Sequence, residues 1–251
     1  MAETAGVEFF CYHRDRPGSM VLREELLAEH WSYMDRYQAE MIARGPTLAG
    51  DGDTPTGSVH IVGLPDPAAA RAFAFDEPNY QAGVYRDVLL RRWRNLLGRT
   101  MRDFPGGRDG GNRYLVLGLG TGQAADLAPP PGRDELIAYG PLLSDDGTAW
   151  LGTAVLLRAP GPDAARAVLT AGRYAILEVH RWQFGGRTLV RSRGPARTRE
   201  CHTYCGTSTV RSPGASAWGQ ICSTSASGIV VAVTAIVPAV ISATSDGSSA
   251  R

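Results

Sequence analysis

The chain contains no lysine: all 26 basic residues among its 251 are arginine. Because this bias runs through the whole sequence, we interpret it mainly as the codon usage of a GC-rich bacterial genome rather than as a device for binding anions. Acidic residues nearly balance the arginines, and a formal net charge of +1 gives no electrostatic case for nucleic acid or an anionic membrane. We therefore expect neither as a partner.

A targeting segment and long apolar runs are also lacking. The start, MAETAGVEFFCYHRDRP, has no basic stretch followed by an apolar one, so no signal peptide is visible and a cytoplasmic location is expected. The longest apolar stretch, 228–243, is short for a membrane-spanning helix and contains Pro238. Cysteine is scarce, with four in the chain, and Cys11 lies in an apolar run that predicts a buried thiol.

The first hundred residues show the periodicity of alternating strands and helices. Strands are predicted at 7–13, 56–64 and 83–98, and helices at 21–43 and 66–78. The order β-α-β-α-β, with a further short strand around 46–50, is typical of a ferredoxin-like α+β fold, in which an antiparallel sheet carries helices on one face.

Local residues support the ends of both predicted helices. Apolar residues of the longer helix keep near-helical spacing, at Leu27, Trp31, Met34, Met41 and Ile42. Gly45 and Pro46 are expected to stop it. The shorter helix begins with Asp66 as N-cap and Pro67 at its first position.

Two stretches of the chain are nearly the same: EMIARGPTLAGDG at 40–52 and ELIAYGPLLSDDG at 135–147. Without gaps, 40–74 aligns with 135–169, and 15 of the 35 positions are identical. A match of this length indicates two copies of one supersecondary unit, which can bury their uncovered sheet faces against each other. We interpret the shared Gly and Pro residues as turn geometry rather than chemistry.

A Gly-rich segment separates the two copies and predicts a domain boundary. The sequence therefore predicts a first repeat over 1–101, a linker over 102–112, a degenerate second repeat over 113–190 and a tail over 191–251. The tail is rich in Ser and Thr and is expected to be disordered, as an out-of-frame gene end would be. A modified-peptide segment is the alternative, because Ser and Thr near Cys are what thioether cross-linking would use.

Several motifs in the first copy occur together: EHWSYMDRY (29–37), RGPTLAGDG (44–52), TGSVHIV (56–62), FDEPNYQAGVY (75–85) and RRW (91–93). Through them, residues 7–99 resemble the YciI-like (YCII-related) family, and 113–187 resemble it weakly. The resemblance implies a ferredoxin-like fold that pairs as a dimeric α/β barrel, with a cleft holding a His and an Asp. It also implies dehydrochlorination or related proton-transfer chemistry on small, often aromatic, molecules. Tandem copies would supply both halves of the barrel within one chain.

The resemblance assigns His30 to the family's helix histidine and Asp76 to its aspartate before Pro and Tyr. Histidine can act as a general acid or base near neutral pH, and a neighbouring carboxylate would fix its tautomer. Weaker candidates for substrate binding are Tyr80 through a hydrogen bond, Arg44 through anion contact, and His60, which could line the cleft. A purely structural role for these residues stays open.

The second copy is predicted to have lost this chemistry. Ala125 and Ala171 stand where the first copy has His30 and Asp76, and Pro129, Pro130 and Pro131 interrupt the helix. The stretch GLGTGQAA at 118–125 lacks the third glycine of a dinucleotide-binding turn, and CHTYC at 201–205 lacks the other half of a metal-ligand set. No cofactor and no metal are therefore expected.

These observations favour a cofactor-independent lyase or isomerase that transfers a proton on a small-molecule substrate, in an elimination, dehydrochlorination or isomerisation. Such a protein would be a monomer or a homodimer. Two other functions stay open at this point. One is a non-catalytic protein that binds a small ligand or acts as a scaffold. The other is a precursor protein whose N-terminal part is folded and whose C-terminal tail is a modified peptide.

Overall fold

A computed structural model of the chain describes residues 6–120, 123–131 and 133–186. The predictions for the Ser/Thr-rich tail, including CHTYC and the apolar stretch 228–243, lie outside these residues. Among the helices of the described part, none combines the length and the apolar character that a membrane crossing requires.

Eight antiparallel strands form a closed barrel. They are β1 (Val7–Asp15), β2 (Met41–Leu48), β3 (Pro55–Leu64), β4 (Tyr85–Trp93), β5 (Arg113–Leu119), β6 (Leu136–Leu143), β7 (Trp150–Arg158) and β8 (Ile176–Trp182). Around the barrel the order is β1-β3-β2-β8-β5-β7-β6-β4, and β4 returns to β1. The α+β class with an antiparallel sheet is thus confirmed.

The helices are short and follow particular strands. They are α1 (Met20–Glu25), α2 (Leu27–Asp35), α3 (Pro67–Phe75), α4 (Pro78–Gln81) and α5 (Pro162–Arg166). As predicted, Asp66 caps α3: its carboxylate accepts a hydrogen bond from the Ala69 N–H at 2.8 Å, and Pro67 follows in the first turn.

The strands are buried on both faces because the barrel interior lies on one side and helices lie on the other. Phe10 and Tyr12 of β1 point into the barrel, where they join an apolar core shared by both halves of the chain. Phe9 and Cys11 point outward and pack with residues of α2 and α3. Cys11 is a free, fully buried thiol, which confirms the prediction.

The predicted helix over 21–43 is wrong at its C-terminal end. It is divided at Leu26 into α1 and α2 and ends at Asp35, whereas Met41 and Ile42 begin β2. Met41 packs in the outer cluster and Ile42 in the barrel core, so these two residues follow strand alternation. Their distance from Met34 suits a helix equally well, and periodicity alone could not separate the two.

The observed order of the first half is therefore β-α-β-β-α-β, and the short strand expected around 46–50 is the end of β2. The strands β5 to β8 lie in the same spatial order as β1 to β4, with the first strand between the third and fourth. The described residues between 120 and 133 contain no helix, at the place where the first half has α1 and α2. The origin of both halves from one repeated unit stays a prediction.

The repeated Gly-Pro pairs lie inside strands rather than in turns, which corrects the expectation above. They stand where the halves join, since β2 pairs with β8 through Thr47 and Trp182, and β4 pairs with β6. A Cβ atom on Gly45 would overlap the backbone oxygen of Gln183, and one on Gly140 would overlap that of Arg94. Both glycines therefore allow the close backbone approach that closes the barrel.

Candidate functional site

A histidine–glutamate pair lies on the outer side of the first half. His30 comes from α2, and its Nδ1 lies 2.6 Å from Oε1 of Glu77, which precedes α4. The Glu77 side chain is fully buried, and His30 is largely buried. A carboxylate can only accept, so the Nδ1 of His30 carries the proton in this pair.

Local sequence explains the position of Glu77. It precedes Pro78, which disfavours the helical conformation, and its backbone is extended at φ −67° and ψ 131°. In that conformation its Oε2 caps α4 by accepting the Tyr80 N–H at 2.9 Å, while Oε1 faces His30. Burial alone would raise the pKa of Glu77, but the hydrogen bond and charge of His30 outweigh it and lower the pKa.

The other ring nitrogen of His30, Nε2, has no hydrogen-bond partner among the described residues. His30 lines a cavity of about 270 Å³ between α2, β2, β3 and the segment that follows β8. With Nδ1 protonated by its contact with Glu77, neutral His30 has its lone pair on Nε2. The arrangement can therefore accept a proton from a molecule in the cavity.

Two further histidines form a buried cluster behind His30. The ring centroids of His60 and His30 are 5.9 Å apart, and those of His60 and His13 are 5.8 Å apart. The Nε2–H of His13 donates to the carbonyl of Ala74 at 2.9 Å, and its Nδ1 faces the Cys11 sulfur at 3.5 Å. The Nδ1 of His60 is enclosed and has no hydrogen-bond partner among the residues that the structure describes.

Burial keeps both of these histidines neutral. It lowers the pKa of His13 to about 4, and it lowers that of His60 well below 6.5, where the nearby His13, His30 and Arg44 add to the effect. Within the described residues, no three or more His, Cys, Asp and Glu side chains are grouped as metal ligands.

Two arginines complete the polar wall of the cavity. Arg23 of α1 is held by Asp15 at 2.9 Å and by the hydroxyl of Ser58 at 2.7 Å. Arg44 of β2 contacts one oxygen of Asp35 at 3.3 Å. Apolar side chains form the remaining wall, from Leu27, Trp31 and Met34 of α2 and from Phe184 after β8.

The predicted site residues do not all come together. His30, Arg44 and His60 line the cavity. Asp76 does not pair with His30: it is exposed and follows the last turn of α3, where its backbone N–H bonds to Ala72, because the neighbouring Glu77 takes the buried position before Pro78. Tyr80 is half-exposed, does not line the cavity, and packs its ring on Phe75 at 4.9 Å.

Sequence reasoning missed Glu77 and Arg23. Glu77 stands in the motif FDEPNY, and the available signal was its place directly before proline, which favours an extended backbone and the N-cap position of a following helix. Arg23 had no comparable signal, since its role depends on the bend between α1 and α2 and on partners from β1 and β3.

A second histidine–carboxylate pair lies on β8. The Nε2 of His180 is 2.8 Å from Glu178, and Arg14 donates to both oxygens of the same carboxylate. The hydrogen bond from His180 and the charge of Arg14 lower the pKa of Glu178 to about 2, against the opposing effect of burial. This network connects β1 with β8, which are not neighbours, and its carboxylate is saturated by structural contacts.

The fold and site thus define an antiparallel α/β barrel with a histidine–carboxylate pair at a small cavity. Residues 7–94 match the family model of the YCII-related domain and form such a domain. An uncharacterized protein of Haemophilus influenzae is 27% identical over 95 residues, which are 35% of this chain and 97% of that protein.

A solved structure is also similar to this chain. It is the 5-chloro-2-hydroxyhydroquinone dehydrochlorinase TftG of Burkholderia phenoliruptrix AC1100, in complex with 2,5-dihydroxybenzoquinone. That chain is 30% identical, the match covers 35% of the present chain and 93% of that chain, and the TM-score is 0.33.

Proposed function

We propose that the protein is a small-molecule enzyme in which His30, held by Glu77, transfers a proton in an elimination or isomerisation. One observation carries the proposal: the buried Glu77 carboxylate holds Nδ1–H of His30 at 2.6 Å, and His30 lines a cavity. A positioned base of this kind contributes about 10²- to 10⁴-fold to a rate.

In the proposed reaction, Nε2 of His30 removes a proton from carbon or oxygen of the substrate. The imidazolium that forms is stabilised by the Glu77 carboxylate. In an elimination the electron pair expels a leaving group such as chloride, so that the elements of HCl are lost. In an isomerisation His30 returns the proton to another atom. Neither step changes the oxidation state of the protein or requires an electron acceptor.

We infer further that 113–190 is a degenerate copy of the unit in 1–101, with 102–112 as linker. The common strand order of the two halves supports this inference. The second half completes the cavity wall through Gln183, Phe184, Gly185 and Gly186. The cytoplasmic location and the monomeric or homodimeric state stay predictions.

The test is a turnover screen with chlorinated and unchlorinated hydroxyhydroquinones, beginning with 5-chloro-2-hydroxyhydroquinone, the compound named for TftG. Chloride release and the change in absorbance are followed for the full chain, His30→Gln and His180→Gln. Turnover that falls about 10²-fold or more in His30→Gln and is kept in His180→Gln is the expected result. Equal turnover in all three proteins would refute the proposal, and ligand binding without turnover would favour a non-catalytic binding protein.

A further inference from the structure

The side chain of Arg44 is buried, and it makes few hydrogen bonds within the described residues. Its side chain is 8% exposed, and its ion pair is with a single oxygen of Asp35 at 3.3 Å. Of its five N–H groups, the other four have no hydrogen-bond partner in the described part of the chain. Arginine stays charged in proteins, so these donors are available to a negatively charged ligand in the cavity that Arg44 lines.

Arg23 provides the internal comparison. It lines the same cavity and is similarly buried, yet one nitrogen contacts both oxygens of Asp15 and another donates to Ser58. The positive charge of Arg23 is therefore paired with a carboxylate of the protein. Arg44 differs because its partner Asp35 is one-third exposed and touches only one nitrogen.

The charges around the cavity are arranged in two layers. Arg23, Arg44 and His30 line the cavity, whereas their carboxylate partners Asp15, Asp35 and Glu77 do not. A molecule in the cavity therefore meets two guanidinium groups and the His30 imidazole before it meets any of the three carboxylates. This order favours a negatively charged ligand over a neutral one of the same shape.

A glycine packs against the guanidinium of Arg44 at a place where a larger residue would not fit. Gly186 lies against the guanidinium, and a Cβ atom there would overlap it. Gly185 fixes this segment by donating its N–H to the carbonyl of Arg44 at 2.9 Å. Glycine at 186 has φ +87°, so both space and backbone conformation disfavour a side chain that would cover the charge.

The size of the cavity limits the ligand to about one ring. A cavity of roughly 150 Å³ holds benzene, so about 270 Å³ accommodates a benzene ring with a few substituents. Trp31, Met34 and Phe184 supply apolar contacts for such a ring. We propose that the cavity binds a single-ring organic anion whose carboxylate or ionised hydroxyl group is held by the guanidinium of Arg44. This inference rests on the proposed function in taking the cavity as the substrate site.

The experiment measures binding to the full chain by calorimetry with matched charged and neutral probes. In the carboxylate arm 2,5-dihydroxybenzoate is compared with 2,5-dihydroxybenzamide. In the hydroxyl arm 4-nitrophenol is compared above and below its own ionisation, with nitrobenzene as the neutral control. We expect at least one anion to bind about 10- to 100-fold more tightly than its neutral counterpart, the range of a charge-assisted contact. Which arm shows the preference identifies the anionic group.

Three variants assign the preference. Arg44→Met should abolish it, Arg44→Lys should keep part of it because the charge stays but the bidentate fork is lost, and Arg71→Met, on the exposed side of α3, should leave it unchanged. Equal affinity of charged and neutral probes for the unaltered protein would overturn the proposal without any variant. An anion preference that survives in Arg44→Met would overturn it as well.

The two proposals fail in different ways. His30→Gln should keep the anion preference while losing turnover. Arg44-dependent anion binding with no turnover of any compound would therefore reject the enzyme and keep the anion site. His30-dependent turnover of neutral compounds, unaffected by Arg44→Met, would reject the anion site and keep the enzyme.

Discussion

At the scale of single residues, Glu77 combines two contacts that its neighbour Asp76 lacks. One carboxylate oxygen holds His30 and the other caps α4. Both depend on the extended backbone before Pro78. The backbone geometry before Pro78 thus determines that Glu77, and not Asp76, contacts His30.

Glu77→Gln should lower kcat by about 10²- to 10⁴-fold with a smaller effect on KM. The amide can still cap α4, but it carries no charge to stabilise the imidazolium and can present its N–H₂ to Nδ1, which favours the wrong tautomer. Steady-state kinetics on the best substrate measure this. Asp76→Asn is the matched control on the next residue, and a comparable fall in that variant would contradict the assignment of Glu77.

The buried His13 should make the protein sensitive to mild acid. Its pKa is about 4 in the folded protein against 6.5 when exposed, so the unfolded chain binds more protons between these values. Stability therefore rises with pH from about 4 to 6.5 and is lost as pH falls through that window. From pH 7 to pH 5 the loss from His13 alone is about 2 kcal/mol.

Urea unfolding at pH 7 and pH 5 measures this loss, and His13→Gln isolates it. The variant is expected to be less stable at pH 7, since it disturbs the contact with Ala74. Its difference between the two pH values should nevertheless shrink by about 2 kcal/mol. An unchanged difference would show that His13 already titrates normally in the folded state.

At the scale of elements, two equivalent tryptophans close the two places where the halves join. Trp93 ends β4 and Trp182 ends β8, and both are almost fully buried. The indole N–H of Trp93 donates to the carbonyl of Gly140 at 3.0 Å, whereas that of Trp182 has no partner in the described residues. The two joints therefore have the same shape but differ by one hydrogen bond.

Trp93→Phe should cost about 1 kcal/mol more than Trp182→Phe in the free energy of unfolding. Both variants lose similar volume from the shared core, so the difference between them reports the hydrogen bond. Chemical denaturation of both proteins at one pH provides the comparison. Equal losses would indicate that the Trp93 contact contributes no net stability.

The strands β1, β3 and β4 could be predicted because the alternation of their residues and the turn residues beside them are visible in short stretches of sequence. The N-cap of α3 by Asp66 could likewise be predicted, because Pro67 follows it at the first helical position. The boundary between α2 and β2 was not, because Met41 and Ile42 fit both periods until the barrel interior exists. The same limit applies to the site: a family motif indicated His30, but Arg23 and the cavity wall depend on contacts between distant elements.

At the scale of the whole molecule, one core unites both halves. The interior cluster includes Phe10 and Val59 from the first half and Leu115 and Leu156 from the second. Strand pairing β2–β8 and β4–β6 adds backbone hydrogen bonds across both joints. Neither half can bury its inner face without the other.

Cutting the chain between Gly110 and Gly111 should therefore leave a stable complex. A protease site inserted at this exposed point allows cleavage after folding. We expect both fragments to coelute in gel filtration and to keep ligand binding, because the shared core stays buried. Separation of the fragments without denaturant would contradict this description of the core.

The cavity is lined by residues that lie far apart in the sequence, so the ribosome adds some of them long before the others. Arg44 lies in the second strand, whereas Gly185 and Gly186, which pack against it, follow the eighth. Contacts of such long sequence separation require a long loop to close, and the entropy of that closure opposes their formation. Under the proposed function, activity should therefore appear only after the last strand has been made, because until then His30 and Glu77 lie beside an incomplete cavity.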